Sequence, residues 1–281
     1  MENKVITNIL VPTDFSECAD NAMQAAIAVA KFHKARLTLV HVVAPIPELY
    51  GLEEDRATKE QQQELLETQT ERISIIAAAL REEQGLFVGP LIRIGQTITQ
   101  ICETVAELNI DLVIMGTHGI RGFREFLIGS NTYGVTEKSR APVLSIPLSS
   151  KIYQFKKIMF PVRNIPNALE KYLFLKTFMG RNTPKLVVYG IYKIDDTHLA
   201  TAYKRVSLFV KDIRKEWSEV KVASVITEEN LADEVLERAI EMRCDLIVIT
   251  AKVGKSIKDF FLGKFAQQMV NHSTLPVLHI K

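Results

Sequence analysis

Cysteine is scarce in this sequence: only Cys18, Cys102 and Cys244 occur, and they are far apart. An odd, sparse set excludes a disulfide framework and a clustered thiolate metal site, and it fits a reducing compartment. An excess of one charge is lacking too, since 35 Lys and Arg stand against 33 Asp and Glu, for a net charge of +2. That balance gives no footprint for nucleic acid. No apolar run approaches the ~18 residues that suggest a membrane span, and the leading MENKVITNILVPTDF has no signal-peptide pattern. The expectation is a cytoplasmic chain that meets neither nucleic acid nor membrane. Neither a Walker GxxxxGK(S/T) loop nor an SGGxDS pyrophosphate loop occurs, and no nucleophile stands with a partnered base. Catalysis is therefore not indicated, and the chain is expected not to be an enzyme.

What is present is a regular alternation. Apolar residues make up 47% and charged residues 24% of 281 positions, which suits a globular chain of two ordinary domains. A strand over 5–11 leads to a helix capped by Ser16, with Ala19, Ala22, Ala26, Val29 and Ala30 at helical spacing. A second strand covers 36–43, and a polar excursion with Pro45, Pro47 and Gly51 covers 44–59. An amphipathic helix over 60–83, a strand over 91–94, and a helix opened by Thr97 and Gln100 as a capping box follow. Strands over 112–115 and 143–146 complete the set. Strands alternating with helices imply right-handed βαβ units and a parallel sheet covered on both faces. Ligands then sit beyond the carboxyl ends of the strands, where Asp14 and Gly116 both fall.

The most informative stretch is 111–147. Its first strand breaks at Gly116, Gly119 follows after two residues and Gly129 after nine more, with Ser130 next. Glycines let a backbone approach a ligand closely, and the unpaired N–H groups of a helix start favour an anion. A phosphate is the natural occupant.

The plan then repeats. Residues 245–281 lie on 111–147 at a constant shift of 134 without a gap, and nine positions are identical. Matching Pro12 to Pro161 needs a shift of 149, so the second copy is 15 residues shorter between these anchors. The counterpart of the 44–59 excursion is the expected place of that loss. The fold class is α/β, with two tandem, doubly wound, parallel five-stranded sheets of Rossmann-like form, divided into 1–149 and 150–281. The second copy keeps the strands and loses the loop: Gly116 becomes Thr250, Gly119 Val253, Ser130 Lys264, Asn131 Phe265, and Asp14 Arg163.

The G-x2-G-x9-G-(S/T) spacing, followed by APVLSIP, resembles the ATP-binding branch of the universal stress protein family. The resemblance covers nearly the whole chain as a tandem arrangement, with the motif specific in the first half. It implies that Asp14 contacts the nucleoside, with Pro12 and Thr13 beside it, and that Val42 lines the adenine pocket. It implies that Met115, Gly116, Thr117, His118, Gly119, Ile120, Arg121 and Gly122 wrap the ribose and phosphates. Gly129, Ser130, Asn131 and Thr132 would meet phosphate oxygens. Asn131 departs mildly from the family, which has Ser, Thr or Val there. The implied cofactor is ATP, with Mg²⁺ left open, and the implied role is a regulatory module of the stress response. A slow ATPase or nucleotidyl transferase, and a scaffold that binds no nucleotide, stay as alternatives. The resemblance further implies an intrachain pseudo-dimer joined through the last strands, a further homodimer being left open.

Overall fold

The structure, a computed structural model, describes residues 5–45, 56–117, 130–165, 168–194, 196, 198–251 and 264–281. The first half runs β1 (Asn8–Pro12), α1 (Glu17–His33), β2 (Arg36–Val43), α2 (Arg56–Gln84), β3 (Val88–Ile94), α3 (Thr97–Glu107), β4 (Leu112–Gly116), α4 (Ser130–Lys138) and β5 (Val143–Ile146). The second runs β6 (Lys157–Arg163), α5 (Lys171–Met179), β7 (Lys185–Lys193), α6 (Leu199–Ile213), β8 (Glu219–Thr227), α7 (Leu231–Glu241), β9 (Leu246–Thr250), α8 (Lys264–His272) and β10 (Val277–Ile280).

All strands join one ten-stranded sheet in the order β3-β2-β1-β4-β5-β10-β9-β6-β7-β8. Pairing is parallel within each half and antiparallel only at β5–β10, which is the seam between the copies. The strands near the seam are mostly apolar because helices cover both their faces: β4, β5, β9 and β10 are buried nearly throughout, with Ser145 and His279 the polar residues inside the seam. The edge strands β3 and β8 are half exposed. One face of the sheet carries a core that continues across the seam, from Ile9 and Leu37 to Phe160 and Leu186. On the other face each half has its own core, around Val113 and Ile101 in one and Ile247 and Met269 in the other.

The duplication is repeated in local hydrogen bonding. Asp111 Oδ2 accepts from Thr7 N and Asn8 N at 2.9 and 3.1 Å, and Asp245 accepts from Lys156 N and Lys157 N at 2.8 and 3.0 Å. Ser139 and Ser273 close the same turn, each accepting from the N–H two residues on and donating to that residue's carbonyl. Asn109 and Arg243 both turn the chain at positive φ, 49° and 53°.

Two expectations need correction. The shortening of the second copy is shared between the excursion and the helix after it: the link runs over 44–55 in the first half and 194–198 in the second, and α2 has 29 residues where α6 has 15. Helix turns can be removed from the end of a packed helix without disturbing the sheet it covers, so the excursion need not absorb all of the loss. Thr97 is not a cap: Gln96 holds the N-cap position of α3, without a side-chain bond, and Thr97 is already helical. Gly95, at φ 139°, makes the turn and starts the helix one residue early. In the second half the matching residue, Asn230, does cap, its Oδ1 accepting from Ala232 N at 2.9 Å.

Between the halves, residues 147–156 are not a loose tether. Asn21 of α1, 3% exposed, donates from Nδ2 to Pro147 O and Ser150 O, both at 2.8 Å. Its Oδ1 accepts from Tyr153 OH at 2.7 Å and Lys151 Nζ at 3.3 Å. Every hydrogen-bonding capacity of that amide is spent on the connection. Among the described residues, no helix is long and apolar enough to cross a membrane.

Candidate functional site

In the first half the chain moves from β1 outward to β2 and β3, then crosses back to β4 and β5 on the other side. The point where that order reverses lies between β1 and β4, and an open α/β sheet leaves a crevice there beyond the strand ends. Ile9 pairs with Leu112 and Leu10 with Val113, a register that brings Pro12 level with Met115. Asp14 and Gly116 therefore flank one opening.

The turn after β1 is tightly specified. Thr13 N donates to Val40 O at 2.9 Å, and Thr13 O accepts from His41 Nδ1 at 2.8 Å. His41 is thus a packed histidine that ties β2 to the turn, as its place at a strand end suggests. Phe15 takes the left-handed region at φ 60°, its N–H donating to Thr13 Oγ1 at 3.0 Å. Its ring lies 4.5 Å from that of His41, and the Arg72 guanidinium of α2 lies 4.1 Å over it. Asp14 Oδ1 accepts from Ser16 N and Ser16 Oγ at 3.1 and 2.5 Å. Ser16 Oγ in turn accepts from Ala19 N at 3.2 Å, which caps α1. Asp14 so holds the cap in place and stands with its carboxylate at the crevice, which makes the capping and ligand roles compatible.

Across the opening, Gly116 has a reason internal to the fold. A Cβ there would lie 2.7 Å from the Cys18 carbonyl oxygen and from its Sγ, so α1 packs directly on the end of β4. Thr117 N donates to Ile146 O at 3.1 Å and Thr117 is buried. Thr132 Oγ1 donates to Gly116 O at 2.6 Å, with the residue only 3% exposed. That bond ties the first turn of α4 to the end of β4. It commits the Thr132 hydroxyl inward, leaving the backbone N–H as the group this residue offers an anion. Ser130 and Asn131 are exposed on the same turn, where N–H groups have no intrahelical acceptor. Met115 is core, and Val42 is half buried against the same cluster. His118, Gly119, Ile120, Arg121, Gly122 and Gly129 lie outside the described residues.

The second half repeats the geometry with other chemistry. Its reversal lies between β6 and β9, with Arg163 and Thr250 at the strand ends. Arg163 stacks over Phe265 at 4.2 Å, and Phe265, standing where Asn131 is, is 7% exposed. A ring thus occupies the first turn of α8, and Lys264 beside it is exposed. Lys171, at the position of Ala22 and only 4% exposed, was not singled out by sequence patterning. A lysine aligned with an alanine on the buried face of a helix was the signal for it. A cavity of about 880 Å³ opens elsewhere, at the amino ends of the strands, between Phe32 of α1 and Phe155 and Met179. It is remote from both crevices.

Fold and crevices together define a duplicated, doubly wound α/β protein with one ligand-type crevice per half, chemically unlike each other. The chain matches the model of the Universal stress protein family over residues 6–147 and 180–281, and it belongs to that family. Universal stress protein MJ0577 of Methanocaldococcus jannaschii is 29% identical over 152 residues, covering 49% of this chain and 93% of that protein. Universal stress protein Sll1654 of Synechocystis is 31% identical over 144 residues, covering 50% and 84%. A universal stress protein from Archaeoglobus fulgidus shares the fold across 98% of both chains, with a TM-score of 0.70 and 19% identity.

Proposed function

We propose that the first half binds ATP at the β1–β4 crevice and that the protein acts as a regulatory module of the stress response. Bound nucleotide biases its conformation or its partners, without catalysis as its purpose. The observation that carries this reading is the difference between the two crevices. The first combines Asp14, fixed at the strand end, with an open first turn of α4. The second holds a stacked Arg163 and Phe265 at the corresponding places. The glycine spacing over 116–129 supports a backbone cradle for the phosphates. Charge-assisted contacts of about 1.5 to 3 kcal/mol each make micromolar affinity reasonable for several together. The domain division proposed at 149–150 falls within the connection that Asn21 holds. A cytoplasmic location accords with the sparse cysteines.

Mass spectrometry of gently denatured, purified protein tests the reading by asking whether adenine nucleotide co-purifies. Gly119→Val is expected to abolish binding with the fold retained, because a β-branched side chain resists positive φ and fills the cradle. Retained binding in that variant defeats the site assignment. Turnover of ATP well above an inert control, lost in Asp14→Ala, would promote an enzyme instead.

A further inference from the structure

The cavity of about 880 Å³ lies apart from both crevices, where α1 meets the connection and the second half. Ile27 and Phe32 of α1, Tyr153 and Phe155 of the connection, and Phe178 and Met179 of α5 give it an apolar wall. Contacts around that wall fix its shape. His33 Nε2 donates to Phe178 O at 2.8 Å, which joins the last turns of α1 and α5. Tyr153 is held by its bond to Asn21, and the Phe155 and Phe178 rings lie 5.7 Å apart. Gly180 has a φ of 54°, and a Cβ there would come 3.1 Å from the Phe32 ring, so the ring rests against a bare backbone. Phe32 is nevertheless 43% exposed. A large aromatic side chain left wet beside an open apolar cavity marks a surface that something covers.

The charge of the lining has one sign. Lys31, Lys156 and Lys185 line the cavity, and among the described residues no Asp or Glu does. Lys185 is paired with Glu219 at 2.8 Å, outside the lining. Lys31 Nζ donates to the neutral Gln84 Oε1 at 2.7 Å, and the Lys156 ammonium reaches Asp245 only through its charge. Neither of these two lysines forms an ion pair among the described residues. Burial lowers the pKa of His33, so the lysines carry the positive charge here.

An apolar wall with cations and no carboxylates around it matches a ligand that has an apolar body and an anionic head. The volume falls toward the upper end of the ~300 to 1,000 Å³ typical of organic-ligand pockets. The lining comes from four separate segments and includes the adaptable Met179, which suits an extended chain better than one compact ring. Lysines act as point charges on flexible stems whose methylenes can lie along an apolar wall. No arginine lines the cavity among the described residues, so the planar fork that suits phosphate is lacking. We propose that this cavity binds an amphipathic monoanion of the fatty-carboxylate class, its chain against Phe32, Phe155 and Met179 and its carboxylate toward Lys31 and Lys156. The site stands independently of nucleotide binding in the first half. Its occupant touches α1, the connection and α5 together, and so links the two halves on the face that already carries their shared core.

Trp217, the single tryptophan of the chain, adjoins Ser218 in the cavity lining, so its fluorescence reports occupancy. The full chain is titrated with decanoate below its micellar range, and with decanol and decyltrimethylammonium as neutral and cationic counterparts of the same chain length. A saturable change is expected with decanoate in the wild type, severalfold weaker half-saturation with decanol, and no saturation with the cation. Ala28→Phe, at a half-buried position of the lining, fills the cavity and is expected to raise half-saturation tenfold or more for decanoate and decanol alike. Lys31→Gln combined with Lys156→Gln alters two exposed side chains and is expected to keep the wild-type Tm. That variant should bind decanoate no better than decanol, with decanol binding unchanged. No saturable response in the wild type, an equal response to all three probes, or wild-type decanoate affinity in the double lysine variant overturns the proposal. Unchanged decanoate affinity in a folded Ala28→Phe protein overturns it as well. A wild-type dimer that Ala28→Phe dissociates would give the cavity to a second copy, and binding to phosphatidylglycerol vesicles without response to free decanoate would give it to a membrane. Either result also overturns the proposal.

Discussion

Leu144 of β5 and Leu278 of β10 lie directly opposite one another in the antiparallel seam, and each is the other's counterpart in the duplication. The local twofold axis relating the copies therefore passes between these two side chains, both fully buried. Two halves of one chain have met as two copies of a single-domain ancestor would, each shielding the last strand of the other from becoming an exposed edge. Covalent linkage then freed each crevice to diverge while the seam kept its register.

The leucine pair should behave as one energetic unit. Leu144→Ala and Leu278→Ala are each expected to cost about 2 to 5 kcal/mol, from lost burial and an unfilled cavity. Because they touch the same space, the double variant should depart from additivity by at least about 0.5 kcal/mol. Urea titration of the four proteins checks it. Additive losses would mean that the two residues pack into separate cores.

One residue along the seam, symmetry is broken where it bears on pH. Ser145 and His279 are counterparts, and His279 Nε2 lies 3.1 Å from Ser145 Oγ while its Nδ1 is buried without a partner among the described residues. Burial, assisted by the charge of Lys281, lowers the His279 pKa from 6.5 to about 3. The folded state thus refuses a proton that the unfolded chain accepts. Above about pH 6.5 this has no effect on stability, and below it each pH unit costs about 1.4 kcal/mol until the folded value is approached. His279→Leu should remove roughly 2 kcal/mol of the loss seen between pH 6.5 and pH 5. Denaturant midpoints measured across that range read it directly. Parallel curves for the two proteins would show that the imidazole is not the group titrating.

The central strands were legible in the sequence because they are short, mostly apolar runs, whereas β3 was read only from residue 91 because Gly89 and Pro90 interrupt it; the repeat was legible because 245–281 aligns without a gap. The opposition of Asp14 and Gly116 followed from strand ends alone. What escaped depends on contacts between distant segments. Nothing near Gly116 announces that Cys18 lies against it, and nothing near Thr132 announces that its hydroxyl reaches back to Gly116. Asn21 looked like one more helix residue because its four partners lie more than a hundred positions away. The α3 start was misplaced by one because Thr97 has the right composition for a cap, whereas the positive φ of Gly95 decides where the helix begins.

The Cys18 contact separates two meanings of a glycine. Gly116→Ala should destabilise the protein by about 1 to 3 kcal/mol, since the nearest neighbours of a new methyl group are largely backbone atoms that cannot swing away. Cys18→Ala should fail to rescue it, because the Cys18 carbonyl remains. Thermal unfolding of both variants without nucleotide decides the matter. Full rescue would place the clash on the thiol and return Gly116 to the ligand.

Asn21 offers a test of how firmly the halves are joined. Its amide is buried and fully bonded to Pro147, Ser150, Lys151 and Tyr153, so removing it strands the Ser150 carbonyl and a phenol at once and leaves Pro147 O with only the Ser150 N–H. A buried group left without its partner costs about 1 to 3 kcal/mol, and Asn21→Leu should therefore lose at least 2 kcal/mol, with the connection becoming more susceptible to proteolysis. Tyr153→Phe removes one bond and should cost about 1 kcal/mol, and much of that cost should vanish in the Asn21→Leu background. The seam itself should survive, since Leu144 and Leu278 are untouched, so the cleaved halves are expected to stay associated on gel filtration. Separation of the halves after cleavage would show that the clamp, and not the paired strands, holds the two copies together.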